Sequence, residues 1–346
     1  MSTQVDTGTA TLGETSAGKN GSARAGGGPR GGAALWAERL ALPFVWVALA
    51  GSLSLADPSH FLTTANLANI FGSQAVLYVL TLSALFPLVA GDFDLSLGSL
   101  SAFISMSVAI LNANDHVGIV LACIIGLAMG ILGGIINAAL VVLFDTDSFI
   151  VTLGTGTAYT GLVYAISGSN TVSGISNGLI NWVYTNEFLG IPLEFYYGLV
   201  IMVLLWVVME LTPLGQWMLF VGQSRDVARL SGVRVTMVRF VTFSTGGFVA
   251  AIAGILYIGT TGSADPVGPS ALLLAAFAGA FLGATTVKPG RFNALGASIA
   301  VFFLSTGVVG LQLIGAADYV QQLFYGGALV VAVVLSRVLR RRAYGI

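Results

Sequence analysis

"GDFDLSLGSL", residues 91–100, sets two carboxylates, Asp92 and Asp94, between two apolar runs. Neither Phe61–Ala90 nor Leu95–Asn114 contains an Asp, Glu, Lys, Arg or His. The same imbalance runs through all 346 residues, which are 56% hydrophobic and 8% charged. Mean hydropathy is +0.90, whereas a soluble chain carries about 25% charged residues. The expected fold class is an all-α polytopic membrane protein, with a broken or re-entrant segment near 91–100 where the acids sit. A spanning helix needs about 20 apolar residues. Ten segments qualify, near 40–56, 67–89, 95–112, 117–143, 148–166, 195–212, 239–259, 270–286, 293–314 and 319–336.

The basic residues orient these segments. All 14 fall before residue 40, within Arg225–Arg239, at Lys288 and Arg291, or within Arg337–Arg342. With ten spans these clusters share one side, and basic loops mark the cytoplasm. Both termini are therefore expected in the cytoplasm, and residues 167–194 outside. That outer loop is polar with interleaved Trp182, Tyr184 and Phe188, which suits a short interfacial helix or a contact surface. Residues 1–39 are rich in Gly, Ser, Thr and Ala and read as a disordered cytoplasmic tail, ahead of a membrane domain at 40–346.

Several classes fall away. "GETSAGKN" (Gly13–Asn20) approaches a phosphate-binding loop, but no apolar strand precedes it, and Asn20 replaces the magnesium-binding hydroxyl. The run ending at Ala56 resembles a cleavable leader, yet its length favours a first span. Cys123 is the only cysteine, so no internal disulfide or thiolate metal cluster is expected. His60 and His116 read as interfacial loop residues. A calcium loop at Asp92 fails because its sixth position is Leu97 and its twelfth Phe103.

Asp94 suits the N-cap of span three, close to Ser96. Asp92, Asp94, Ser96, Asn137 and Thr152 are the candidates for a polar path or gate, because acids at membrane depth are costly without a role. The second candidate site is "VGQSRDVARLSGVRVTMVRF", residues 221–240, with a docking loop at about 214–238. Arg225, Asp226, Val227, Arg229 and Leu230 form a short amphipathic turn, and Gly232 suits its stop. A basic loop can also serve as a topology signal or bind anionic lipid. Asp226 is expected to pair with Arg225, with Arg229 or with a partner chain.

In sequence order, four stretches resemble ribose-type ABC importer permeases. "GDFDLSLGS" is similar to their G-[GE]-[IF]-D-L-S-V-G-S signature, and "GQSRDVARLSGVRV" to their ATPase-docking segment. "GGIINAALVV…FIVTLGT" (Gly133–Thr155) and "LGATTVKPGRFNALGA" (Leu282–Ala297) resemble two further motifs. This chain departs from them at Ala138, Asp145, Asp147, Lys288 and Pro289. The resemblance implies a permease subunit, not itself an enzyme, that pairs with a second copy or a close paralogue. It implies two cytoplasmic ATPase domains, with ATP and magnesium acting there and no cofactor on this chain. It also implies an extracytoplasmic sugar-binding protein, surrounding lipid, no nucleic acid, and a bacterial plasma (inner) membrane location. Gly222, Arg225, Asp226, Ala228, Arg229, Leu230, Ser231 and Gly232 become the expected ATPase-docking residues. The rival class is a proton- or ion-coupled secondary transporter using Asp92 or Asp94.

Overall fold

A computed structural model describes residues 32–61 and 63–344, with side chains for 39–61, 63–317 and 319–335. Most of the expected tail, residues 1–31, lies outside the described residues. The helices are α1 (Gly32–Ala56), α2 (Pro58–Phe61), α3 (Thr64–Phe71), α4 (Ala75–Val89), α5 (Leu97–Ala109) and α6 (Ile119–Leu143). Then come α7 (Ser148–Ser167), α8 (Asn177–Ile180), α9 (Leu193–Leu211), α10 (Pro213–Gln223) and α11 (Arg225–Leu230). The remainder are α12 (Val235–Thr261), α13 (Gly268–Ala271), α14 (Leu273–Gly283), α15 (Ala294–Leu313) and α16 (Asp318–Tyr344). Eight segments of the described chain are long and apolar enough to cross a membrane, and α13–α14 and Tyr319–Leu335 are shorter apolar helices. Together they occupy the ten expected segments, and the protein is an all-α polytopic membrane protein.

Two details differ from the hydropathy reading. The second segment is not one continuous helix: it breaks at Gly72–Gln74, between α3 and α4. Gly72 is pressed so closely that a Cβ there would lie 2.7 Å from the Ala68 carbonyl oxygen and 2.8 Å from Pro192 Cγ. The first helix starts at Gly32 rather than near residue 40.

All of α4 is buried, and α12 packs against α4, α5 and α6. The closest of these approaches uses small residues on α6. A Cβ on Gly130 would meet the Gly247 carbonyl oxygen at 2.5 Å, and one on Gly134 the Phe243 carbonyl oxygen at 2.3 Å. Gly at four-residue spacing lets two backbones touch, which lipid-solvated helices need because apolar burial alone does not drive their association.

The bundle has two chemically distinct ends. At one, the Thr286 hydroxyl donates to the Arg39 carbonyl at 2.6 Å, and Lys288 pairs with Glu210 at the end of α9. The α10–α11 segment follows directly from α9, so Arg39, Arg225–Arg239, Lys288 and Arg291 share this basic end. At the other, acidic end, β1 (Val172–Ser173) pairs antiparallel with β4 (Ser263–Ala264). There β2 (Glu187–Phe188) and β3 (Ile191–Pro192) form a small hairpin. The long loop thus holds the expected short helix, α8, and is tied down where Tyr197 donates its hydroxyl to the Trp182 carbonyl at 2.9 Å.

Candidate functional site

The break between α4 and α5 is a buried turn at the basic end. Gly91 opens it at φ +79°, a conformation that costs an L side chain about 1–2 kcal/mol. From there to Ser96 the backbone is non-helical, yet Asp92, Asp94 and Ser96 are fully or almost fully buried. Buried backbone without helix bonds needs partners from elsewhere. The N-terminal turn of α7 supplies them. The Phe93 N–H donates to Ser148 Oγ at 3.1 Å, and the Leu95 N–H donates to Thr152 Oγ1 at 3.0 Å. The Phe93 ring stacks near Phe277 and Phe281 of α14, with centroids at 6.3 and 6.2 Å.

Asp94 has local partners. Its Oδ1 accepts from the Ser96 N–H at 3.0 Å and the Ser96 hydroxyl at 2.6 Å. Asn137 Nδ2, from α6, donates to Ser96 Oγ at 2.7 Å and reaches the Asp94 carboxylate at 3.3 Å. The expected N-cap at Asp94 is thereby corrected. Ser96 occupies the cap position of α5, and Asp94 sits two residues earlier, closing an Asx turn that holds Ser96. An Asp side chain bonds the N–H two residues on as readily as a helix terminus.

Asp92 has distant partners. Arg239 of α12 donates Nε to Oδ2 at 2.8 Å and Nη2 to Oδ1 at 2.7 Å, a two-bond fork. Arg225 adds a third bond, Nη2 to Oδ1 at 2.8 Å, and its Nη2 also lies 3.3 Å from the Gly91 carbonyl. Of the three partners expected for Asp226, neither Arg225, which is taken by Asp92, nor Arg229 pairs with it among the described residues. Arg225 turns inward to a fully buried carboxylate, where the attraction is less screened than at the surface, and Asp226 is left exposed.

The docking segment joins this turn by packing as well. A Cβ on Gly222 would lie 2.1 Å from the Val89 carbonyl oxygen, and one on Gly91 3.2 Å from Gly222 Cα. Beyond Gly222, the Ser224 side chain caps α11 by accepting from the Val227 N–H. Gly232, at φ +82°, ends the segment in the left-handed region expected of it. Ala228 faces the core. Asp226, Val227, Arg229, Leu230, Ser231 and Gly232 face outward, and Leu230 is 89% exposed. A cavity of about 560 Å³ lies beside them, between α10 and the start of α12, lined by Trp217, Gly232, Arg234 and Met237 among others.

The two candidate regions are thus one connected site. Asp94, Ser96 and Asn137 are bonded to one another, Thr152 holds the backbone of Phe93 and Leu95 beside them, and Gly222 and Arg225 tie the exposed helix to the turn at Gly91 and Asp92. Arg239 is the residue that the sequence reading passed over. Its signal was present: a guanidinium with apolar neighbours at the start of a span requires a buried acid. Asp147, one of the departures, caps α7 by accepting from the Phe149 N–H at 2.8 Å.

The buried Asp92–Arg239 pair is thus linked through Arg225 to a short exposed helix at one end of a membrane bundle. Residues 66–333 match the family described as "Branched-chain amino acid transport system / permease component". The chain belongs to this family of transport permeases. It is 30% identical over 295 residues to the D-allose transport system permease protein AlsC of Escherichia coli strain K12, covering 85% of this chain and 89% of that one. It is 31% identical over 288 residues to the ribose import permease protein RbsC of Bacillus subtilis strain 168, covering 82% and 88%. Identity to the autoinducer 2 import system permease protein LsrC of Salmonella paratyphi B is 29% over 294 residues, covering 83% and 84%. No solved structure matches the chain.

Proposed function

We propose that this chain is the membrane subunit of an ATP-driven importer for a monosaccharide or a related small polar solute. In this reading it pairs with a second copy or a close paralogue, and two ATPase domains dock on the basic end, which faces the cytoplasm. An extracytoplasmic binding protein delivers the solute to the acidic end, where Trp182, Tyr184, Phe188 and Leu189 are exposed. Surrounding lipid is the remaining partner, and ATP and magnesium act on the ATPase rather than here.

One observation carries the docking: α11 presents Val227 and Leu230 outward, flanked by Asp226 and Arg229, on a segment whose other face is anchored in the core. Apolar side chains at the tip of a rigid polar loop suit a protein groove better than water. Among the described residues, neither Asp226 nor Arg229 forms an ion pair, so both are free for a partner. The solute class follows the names of the relatives that cover most of the chain. A secondary transporter fits less well, because Asp92 is held by two arginines and Asp94 by Ser96 and Asn137, which leaves neither free to carry a cation.

Co-purification with an ABC ATPase and an extracytoplasmic binding protein, followed by uptake into vesicles over a sugar panel, tests this reading. Leu230→Asp is expected to abolish ATPase association while the protein still inserts. Cysteines at Ser169 and Ser224, in a Cys123→Ala background, should label from opposite faces. Uptake driven by a proton gradient without ATP, or labelling of both positions from outside, overturns the proposal.

A further inference from the structure

We infer that Arg225 is a releasable latch between the exposed helix α11 and the buried turn, and that Arg239 is the permanent counter-ion of Asp92. The inference rests on the docking of an ATPase at α11 proposed above.

The argument begins with charge. Asp92 is one carboxylate facing two guanidinium groups. The fork from Arg239 already engages both oxygens and neutralises the charge, which is what a buried carboxylate requires. Arg225 adds a third bond, to an oxygen that already accepts one from Arg239. The two arginines also differ in setting. Arg239 is 4% exposed on a 27-residue helix through the core, and Arg225 is 40% exposed on a six-residue helix at the surface. Withdrawing Arg239 strands a buried anion. Withdrawing Arg225 leaves a neutral pair behind and takes a half-hydrated cation into water.

Geometry supplies the pivot and the output. Gly222 and Gly91 meet backbone to backbone, with no side chain between them, so a shift of α10–α11 is passed directly to the turn, while the buried Met218, Val221 and Ala228 keep the segment seated in the core. The turn is bonded to α7 through Ser148 and Thr152, to α6 through Asn137 and to α12 through Arg239. Whether Arg225 grips or releases therefore bears on three spans at once. A two-state contact of this kind links a displacement of the docking helix to a rearrangement of the path. Arg225 is a positioning residue, since it touches neither nucleotide nor solute.

The test uses the full complex of permease, ATPase and binding protein in lipid nanodiscs. ATP hydrolysis is measured with and without binding protein and sugar, together with solute moved per ATP in vesicles. Arg225→Gln should keep the ATPase bound but reduce the stimulation of hydrolysis by loaded binding protein about tenfold, the scale of losing one charge-assisted hydrogen bond. Arg225→Lys should recover part of it. Arg239→Gln should instead reduce the yield of folded protein, and Asp92→Asn combined with Arg239→Gln should fold and show the same loss of stimulation as Arg225→Gln. Unchanged stimulation and unchanged transport per ATP in Arg225→Gln overturn the latch. So does loss of ATPase binding in Arg225→Gln matching that of Leu230→Asp, which would make Arg225 a docking residue. If the wild-type complex binds no ATPase, the docking reading itself fails, and the latch fails with it.

Discussion

Both ends of the bundle bury a carboxylate, and they treat it differently. At the basic end Asp92 receives three guanidinium N–H bonds from two arginines. At the acidic end Glu194, at the start of α9, accepts one bond from the Thr260 hydroxyl, and its Oε1 has no partner among the described residues. No Lys or Arg lies between residues 40 and 224, or between 240 and 287, so none is near Glu194 in sequence. The contrast separates a built ionic joint from a tolerated polar group. Cations gather at the end that carries the exposed helix α11, and the other end manages with a hydroxyl.

The largest effect is expected where the joint is cut on one side. Arg239→Ala leaves Asp92 buried with a half-exposed partner, and breaking a buried pair this way costs about 3–5 kcal/mol. Thermal unfolding in detergent should show it as the steepest loss of any variant here. Gly222→Val follows. Its side chain must enter the space of the Val89 carbonyl, and such overpacking costs about 1–3 kcal/mol. Gly232→Ala tests the same segment where nothing lies within 4 Å of a Cβ, so only its φ is strained, at about 1–2 kcal/mol. Asp94→Ala strands Ser96 and Asn137 and should cost about 1–3 kcal/mol, whereas Asp94→Asn retains an acceptor for the Ser96 N–H. Glu194→Gln is the smallest. It keeps an oxygen for Thr260 and should change stability by less than about 1 kcal/mol. A Glu194→Gln loss as large as that of Arg239→Ala would erase the distinction between the two ends.

Much of this architecture was legible in composition. The apolar segments, the shared end of the basic clusters, the non-helical stretch at Gly91–Ser96 and the left-handed Gly232 follow from residue type and local spacing. The pairings were less legible. Asp92 and Arg239 lie 147 positions apart, and nothing local marks them as partners. Asp94 and Ser96 both carry capping oxygens, and only backbone geometry decides which one occupies the cap. The break at Gly72–Gln74 leaves hydropathy unchanged, so a scan for apolar length passes over it. The inward turn of Arg225 was hidden because an arginine beside an aspartate in sequence suggests a local pair, while tertiary burial favoured the distant one.

The central claim is that Asp92 and Arg239 form one ionic unit on which the exposed helix is anchored. The most direct measurement is a double-mutant cycle for stability with Asp92→Asn, Arg239→Gln and the double variant. The account predicts that each single change is strongly destabilising and that the double variant is more stable than the worse single, with an interaction energy of about 2–3 kcal/mol. Strictly additive losses would contradict it.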